Sequence, residues 1–286
     1  MIEERKSRRG AILIPNAITT AAMAFGFYSI QQSLQGNFIH ATWALFISAI
    51  LDSLDGKIAR LVKGTSEFGE QYDSLADLVS FGLAPGFLAI SWGLGRFFGE
   101  LGWAVGFVYL AGAAIRLARF NTLIGAEQSR AYFKGIPSPV AAGFPVVPVM
   151  VYSKYVSPIG LEHYALGIIY LFAVAGAGFL MVSPIRFRTF KDLQYTKYGI
   201  VPPLLGVVII LSALFVRPQL TLFGGLVAYL TWAFLEELLV LRPKEKELRA
   251  KRREARRKRR EERKLRRRAE RETKIRVIPG EQEERK

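Results

Sequence analysis

Apolar runs of about 20 residues, the length a helix needs to cross a bilayer, recur along this chain with short polar connections between them. Eight can be placed: 16–34, 39–62, 70–95, 101–121, 139–157, 162–183, 199–216 and 219–241. The fifth and seventh are interrupted by Pro145, Pro148, Pro202 and Pro203. Proline is tolerated near a helix start but kinks a helix interior. The pattern predicts an all-α protein, a polytopic membrane helix bundle of about eight transmembrane helices.

Charge divides the chain further. The 286 residues are 51% hydrophobic yet carry a formal charge of +16. Residues 242–286 hold 22 Lys/Arg against 10 Asp/Glu, so most of the excess sits in a basic tail outside the apolar part. That tail is predicted to be helical through i,i+4 Glu–Lys/Arg pairs and then disordered past Pro279-Gly280. It has no aromatic residue for base stacking, and an anionic leaflet attracts Lys/Arg, so lipid-surface contact or plain solvation is expected and nucleic acid is not. Residues 1–14 form a basic N-terminal segment. No Ala-x-Ala-like site follows its arginines, so the first helix is expected to stay. There is no cysteine, which excludes a disulfide framework and a thiolate metal site.

With the N-terminus inside, one face receives Arg5–Arg9, Lys63, Arg119, Arg130, Lys134, Arg186, Arg188, Lys191, Lys197 and the tail. The other receives only Arg96, Lys154 and Arg217. The asymmetry predicts an integral protein of the cell membrane with both termini cytosolic.

Four aspartates break the apolar pattern: Asp52 and Asp55 late in the second stretch, Asp73 and Asp77 early in the third. An ionised carboxylate in a bilayer costs several kcal/mol, and four together repel, so a cation must balance them. At about 100° per residue, Asp52, Asp55, Gly56, Ala59 and Arg60 share one stripe of the second helix. Gly69, Asp73 and Asp77 share one stripe of the third. The short linker makes these helices antiparallel neighbours, and orientation puts the cluster at the cytosolic membrane edge. All-oxygen, carboxylate-rich clusters suit Mg²⁺ or Mn²⁺, and two such ions about 4 Å apart clamp a phosphate undergoing displacement. The small residues leave room for a ligand, and Arg60 and Lys63 can hold phosphate oxygens. The physical reading is phosphoryl-type transfer from a diphosphate to an alcohol. Proton relays and cation transporters also keep buried acids, so an ion pathway stays open on these grounds, although the acids are bunched at one depth.

The spacing D-x-x-D-G-x-x-A-R, eight residues, then G-x-x-x-D-x-x-x-D resembles the signature of the CDP-alcohol phosphotransferase family. It is carried by Asp52, Asp55, Gly56, Ala59, Arg60, Gly69, Asp73 and Asp77. The resemblance implies a six-helix catalytic core, here 15–192, followed by two additional helices in 193–241, and a homodimer. It implies two divalent cations on the four aspartates, with Asp77 as general base and the nucleotide against Gly56 and Ala59. Further segments, Pro15-Asn16-Ala-Ile-Thr, Phe81-Gly82-Leu-Ala-Pro85, Arg116-Leu-Ala-Arg119-Phe-Asn121 and Phe133-Lys-Gly-Ile-Pro-Ser138-Pro, resemble the serine-accepting branch of that family. They imply CDP-diacylglycerol, or an archaeal ether analogue, and L-serine as substrates. Glycerol 3-phosphate, inositol phosphate or another amino alcohol are the alternative acceptors.

A serine site needs a cation for the carboxylate. Arg116 and Arg119 stand level with the aspartates and are the candidates, with Asn121 and Ser138 as further polar candidates. Positive-inside snorkelling is the alternative reading for both arginines. Asn16 is placed either to contact the diphosphate or to cap the first helix. Phe81-Gly82 with Pro85 is expected to break or bend the third helix. His40 and His163 fall at outer helix ends, and Glu236 and Glu237 read as a cavity or interfacial pair.

Overall fold

The computed structural model describes residues 2–62, 66–122, 132–156, 164–188, 201–237 and 239. Lys63, Arg130, His163 and the basic tail lie outside the described residues. Eight helices follow one another among the described residues. They are α1 (Ile2–Leu34), α2 (Phe38–Leu61), α3 (Glu67–Phe98), α4 (Glu100–Thr122), α5 (Ser138–Val151), α6 (Tyr164–Val182), α7 (Val201–Val216) and α8 (Pro218–Glu236). Helix α5 continues through a π-helical segment, Tyr152–Val156. Six of the eight, all but α5 and α7, are long and apolar enough to cross a membrane. The two that fall outside this group are the fifth and seventh stretches, where the prolines lie. A small antiparallel ribbon, β1 (Tyr132–Lys134) with β2 (Arg186–Arg188), is the one addition to the all-α expectation among the described residues. The chain separates into a unit of residues 1–233 and a second unit from Phe234 onward.

Local chemistry fixes the joints. Gly36 adopts φ 76° between α1 and α2, and the Asn37 side chain donates to Gln32 across that turn at 3.0 Å. Ser66 caps α3, its hydroxyl accepting from the Gly69 amide at 3.0 Å. Glu67 and Glu70 in the first turn face the positive end of the helix dipole. Gly99, at φ 53°, stops α3 before α4 begins.

Helix α3 does not break at Pro85. It runs on from Glu67 to Phe98 by widening into π-helical segments, Leu78–Leu83 and Ile90–Leu94. The reason is local. Pro85 has no N–H to give to the carbonyl four residues back, and its ring would crowd that carbonyl. The Phe81 carbonyl is satisfied instead by the Tyr109 hydroxyl of α4 at 2.7 Å, with Tyr109 fully buried. An extra residue per turn absorbs the proline without severing the helix.

Between helices, backbones approach closely where side chains are small. Helices α4 and α6 cross at Gly112 and Gly178, where a Cβ on either would run into the other helix's backbone. Helix α1 is tied to its neighbours at one carbonyl: Ser48 of α2 donates to Ala22 O at 2.7 Å, and Ser80 of α3 reaches the same oxygen at 3.4 Å. The buried core runs along α2, α3, α4, α5 and α6 through Leu45, Leu88, Tyr109, Val149 and Val174. Exposed Trp103, Phe107, Phe172 and Phe179 cover the outer faces of α4 and α6, as a bilayer requires.

Replacing Gly178 by Val is expected to lower the thermal unfolding midpoint in detergent markedly, because overpacking costs about 1–3 kcal/mol even where side chains can yield, and here backbone is struck. Gly176→Ala, whose added Cβ meets nothing within 4 Å, is expected to leave the midpoint unchanged or higher. Unfolding followed by tryptophan fluorescence distinguishes the two.

Candidate active site

The site lies where the middle of α1, the end of α2, the start of α3 and the end of α4 meet. Asp52 and Asp55 are one turn apart on α2, and Asp73 faces them from α3. Ligand oxygens of these three carboxylates lie within 4.8 Å of one another. Unscreened by a cation, each such pair repels by at least about 3 kcal/mol at an effective dielectric near 20. Asp77, one turn further along α3, lies against Asp52 within hydrogen-bonding reach. Its other charged neighbours are Asp73 and the guanidinium of Arg116. Asp77 is also the last residue before α3 passes into its first π-helical segment.

The donor set fits a hard divalent cation. It consists of carboxylate oxygens only, converging on one point from two helices, with no nitrogen or sulfur ligand among them. Residues able to hold such an ion are Asp52, Asp55 and Asp73, with Asp77 adjacent.

A second feature of the site was not assigned from the sequence. The Thr19 hydroxyl of α1 donates to Asp55 Oδ2 at 2.7 Å, and also approaches the Pro15 carbonyl at 3.1 Å. The contact with the carboxylate is the shorter of the two. It fixes the orientation of a carboxylate that is only 4% exposed. Its sole signal in the sequence is position: Thr19 lies one turn after Asn16, within the Pro15–Thr19 segment already singled out. A threonine inside an apolar helix carries no periodicity of its own.

Beside the carboxylates opens a cavity of about 290 Å³. Asn16, Asp55, Gly56, Ala59, Arg60, Gly69 and Asp73 all line it, so five predicted nucleotide or phosphate residues are brought together with two predicted metal ligands. A Cβ added at Gly56 would meet nothing within 4 Å, so this glycine leaves an open wall. Gly69 has a different reason. A Cβ there would stand 3.1 Å from Ser66 Oγ and 3.2 Å from Asn16 Oδ1, so the missing side chain lets α1 and the α3 cap close on each other. Asn16 lies well inside α1, which begins at Ile2, so the capping alternative for it fails and its amide faces the cavity wall. Ser66 and Glu70 also line the cavity, and neither was singled out from the sequence.

The four serine-site candidates separate into two groups. Arg116 of α4 donates to the hydroxyl of Ser138 at the start of α5, and Ser138 is fully buried. This pair stands next to Asp77. Arg119 instead reaches the Val182 carbonyl at the end of α6 at 3.4 Å. Asn121 is engaged with α3, exchanging contacts with Ser74 at 3.1–3.2 Å and reaching Gln71 at 3.4 Å. Arg116 and Ser138 therefore belong to the carboxylate cluster, whereas Arg119 and Asn121 hold neighbouring helices together.

Residues 12–235 match the model of the family described as CDP-alcohol phosphatidyltransferase. The chain is 39% identical over 233 residues to a CDP-diacylglycerol–serine O-phosphatidyltransferase of Helicobacter pylori, covering 78% of this chain and 92% of that one. It is 30% identical over 236 residues to the enzyme of the same name from Mycobacterium tuberculosis, covering 80% of each. It is also 34% identical over 133 residues to an archaetidylserine synthase of Methanothermobacter thermautotrophicus, covering 46% of this chain and 55% of that one.

Thr19→Val removes a hydrogen bond to a carboxylate while keeping side-chain volume. Partners of this kind are worth about 10- to 100-fold in metal affinity. Mn²⁺ titration followed by electron paramagnetic resonance should show weakening in that range with the helical circular dichroism unchanged. Unaltered Mn²⁺ affinity would remove Thr19 from the site.

Proposed function

The chain belongs to the CDP-alcohol phosphatidyltransferase family, and from that premise we propose that it transfers a phosphatidyl group from CDP-diacylglycerol to the hydroxyl of L-serine, giving phosphatidylserine and CMP. The observation that carries this reading is the convergence of Asp52, Asp55 and Asp73 within 4.8 Å beside a cavity walled by Gly56, Ala59, Arg60 and Gly69. The names of the relatives supply the alcohol and the lipid donor. An ether-linked donor is the variant that the archaeal relative's name introduces.

In this reading Asp52, Asp55, Asp73 and Asp77 hold two divalent cations, Mg²⁺ or Mn²⁺. When bound, these neutralise the diphosphate and stabilise the charge that develops on it. The cytidine and its phosphates occupy the cavity at Gly56 and Ala59, with Asn16, Arg60, Gly69 and Lys63 toward the phosphate oxygens. The serine hydroxyl attacks the phosphorus that carries diacylglycerol. A serine O–P bond forms, the P–O bond to CMP breaks, and the hydroxyl proton passes to Asp77. Arg116 is suited to the serine carboxylate because it touches both Asp77's surroundings and Ser138. Ser138 then acts on the arginine by holding its guanidinium in place.

The same reading places residues 15–192 as the catalytic core, with 193–241 as added helices and 242–286 as a tail at the membrane surface. The site faces the cytosol, since Arg60, Arg116 and Arg119 gather at its end of the bundle. The protein acts as a homodimer in the cell membrane, as the resemblance of its core implies.

Purified protein should release CMP from CDP-diacylglycerol only when serine and Mg²⁺ or Mn²⁺ are both present. Release driven by glycerol 3-phosphate and not by serine would overturn the acceptor. Asp77→Asn should lower turnover by about 10²- to 10⁴-fold while Mn²⁺ still binds at Asp52, Asp55 and Asp73, with fewer ions held.

Arg116→Lys keeps the charge but loses the planar fork. It should raise the serine KM more than it lowers kcat. An unchanged KM would assign Arg116 to packing alone.

A further inference from the structure

Far from the carboxylates, a cavity of about 250 Å³ opens where the start of α2, the end of α3, the end of α5 and the start of α6 meet. Arg96, which lines it, follows Asp77 by 19 residues on α3, about 28 Å along the helix. A bilayer hydrocarbon core is about 30 Å thick. Carboxylates at one membrane surface therefore put this cavity at the other. Two π-helical segments supply its polar wall. Ile90–Leu94 contributes Trp92, and Tyr152–Val156 contributes Tyr152 and Ser153. Such turns are frequent at functional sites. The Trp92 ring packs edge-on against Tyr152 and Tyr170, with ring centres 5.1 and 4.8 Å away. The Tyr170 hydroxyl is committed to the Pro145 carbonyl at 2.9 Å. The Arg96 guanidinium lies 5.9 Å from the centre of the Phe97 ring, and no carboxylate lines the cavity among the described residues.

We infer that this cavity binds the phosphodiester headgroup of an anionic phospholipid from the leaflet opposite the aspartate site. Its polar wall is made of donors. A guanidinium is always charged and pairs with phosphate oxygens through two parallel N–H groups. The Ser153 hydroxyl and the Trp92 indole N–H add further donors. An amine-bearing headgroup is disfavoured, because Arg96 repels an ammonium and no acid in the wall receives it. A glycerol-type headgroup meets neither obstacle. The aromatic walls are of the kind that sits at a membrane interface, with apolar faces toward hydrocarbon and polar edges toward headgroups. The volume falls below the roughly 300–1,000 Å³ of pockets for drug-sized ligands, so it admits a headgroup and not a nucleotide. The site is independent of the transfer reading, since its lipid neither reacts nor reaches the aspartates. It makes the stability of the bundle depend on lipid charge at the far membrane surface, because the bound headgroup joins the ends of α3, α5 and α6.

Lys154 provides the control. It is exposed and follows Ser153 directly, but it is not part of the wall, so Lys154→Gln removes the same charge from the same face. Full-length protein in detergent would be given dioleoyl phosphatidylglycerol or dioleoyl phosphatidylcholine, and lipid retention read by native mass spectrometry alongside the thermal unfolding midpoint. The unmodified protein is expected to retain phosphatidylglycerol in preference to phosphatidylcholine and to unfold at a higher temperature with it. Arg96→Gln should weaken that retention by about tenfold or more, and Lys154→Gln should leave it unchanged. Gly167→Leu tests the cavity with every charge in place. Gly167 lines the wall, and an added Cβ stands in ordinary contact with the Phe98 ring at 3.5 Å, so the larger side chain narrows the space and should also reduce retention. Unchanged retention in both cavity variants overturns the inference. Equal loss in Lys154→Gln overturns it as well, since that marks diffuse attraction to a charged face. Equal retention of phosphatidylcholine overturns the choice of an anionic lipid. A midpoint rise of the same size with inorganic phosphate alone overturns the lipid source.

Discussion

Four carboxylates at one end of an apolar bundle are the constraint around which the rest of the structure is arranged. They cannot disperse, because Asp52 and Asp55 share a stripe of α2 while Asp73 and Asp77 share a stripe of α3. They cannot stay uncompensated at separations under 5 Å. The geometry is therefore that of a cation site, and the neighbouring elements keep it in shape. Thr19 fixes one carboxylate from α1. The Ser66 cap fixes where α3 starts, and hence the height of Asp73. Asp77 is the last residue before α3 widens into its first π-helical segment. Each is a small local feature, the first on α1 and the other two on α3.

The bundle that carries the site obeys the rules of a solvent without hydrogen bonds. Every carbonyl that loses a partner must find another inside the protein. The Phe81 carbonyl facing Pro85 is the clearest example, since a fully buried tyrosine from α4 supplies the missing donor. Without it, the proline would leave an unsatisfied acceptor one turn from Asp77. Helix association relies on close approach at Gly112 and Gly178 and on hydroxyls such as Ser48, because apolar side chains gain little over lipid. Polar and apolar compartments thus meet at the carboxylates. A cavity lined by Asn16, Gly56, Ala59, Arg60 and Gly69 opens beside them.

The expectations drawn from the residues fared unevenly, for reasons that differ by residue. The aspartate stripes were legible because helical spacing converts directly into a shared face. Gly56 was legible for the same reason. The reason for Gly69 was not, because it depends on Asn16 arriving from α1. Arg116 and Ser138 were named separately, and only folding joins them, since 22 positions separate them along the chain. Arg119 and Asn121, equal candidates by position, point to Val182 and Ser74. A difference of about 100° per residue around α4 decides which arginine meets Asp77.

By itself the sequence determined the helical membrane class, the two acidic stripes, the phosphotransferase signature and the end of the bundle at which they lie. These follow from local periodicity and charge, which act over a few residues. Tertiary structure alone decided that Thr19 holds Asp55, that Arg116 binds Ser138 beside Asp77, and that α3 passes Pro85 intact. Each of these joins groups far apart in the chain. Such joins are settled by which helix backbones can approach and which buried polar groups must find partners, and neither can be read from any one stretch.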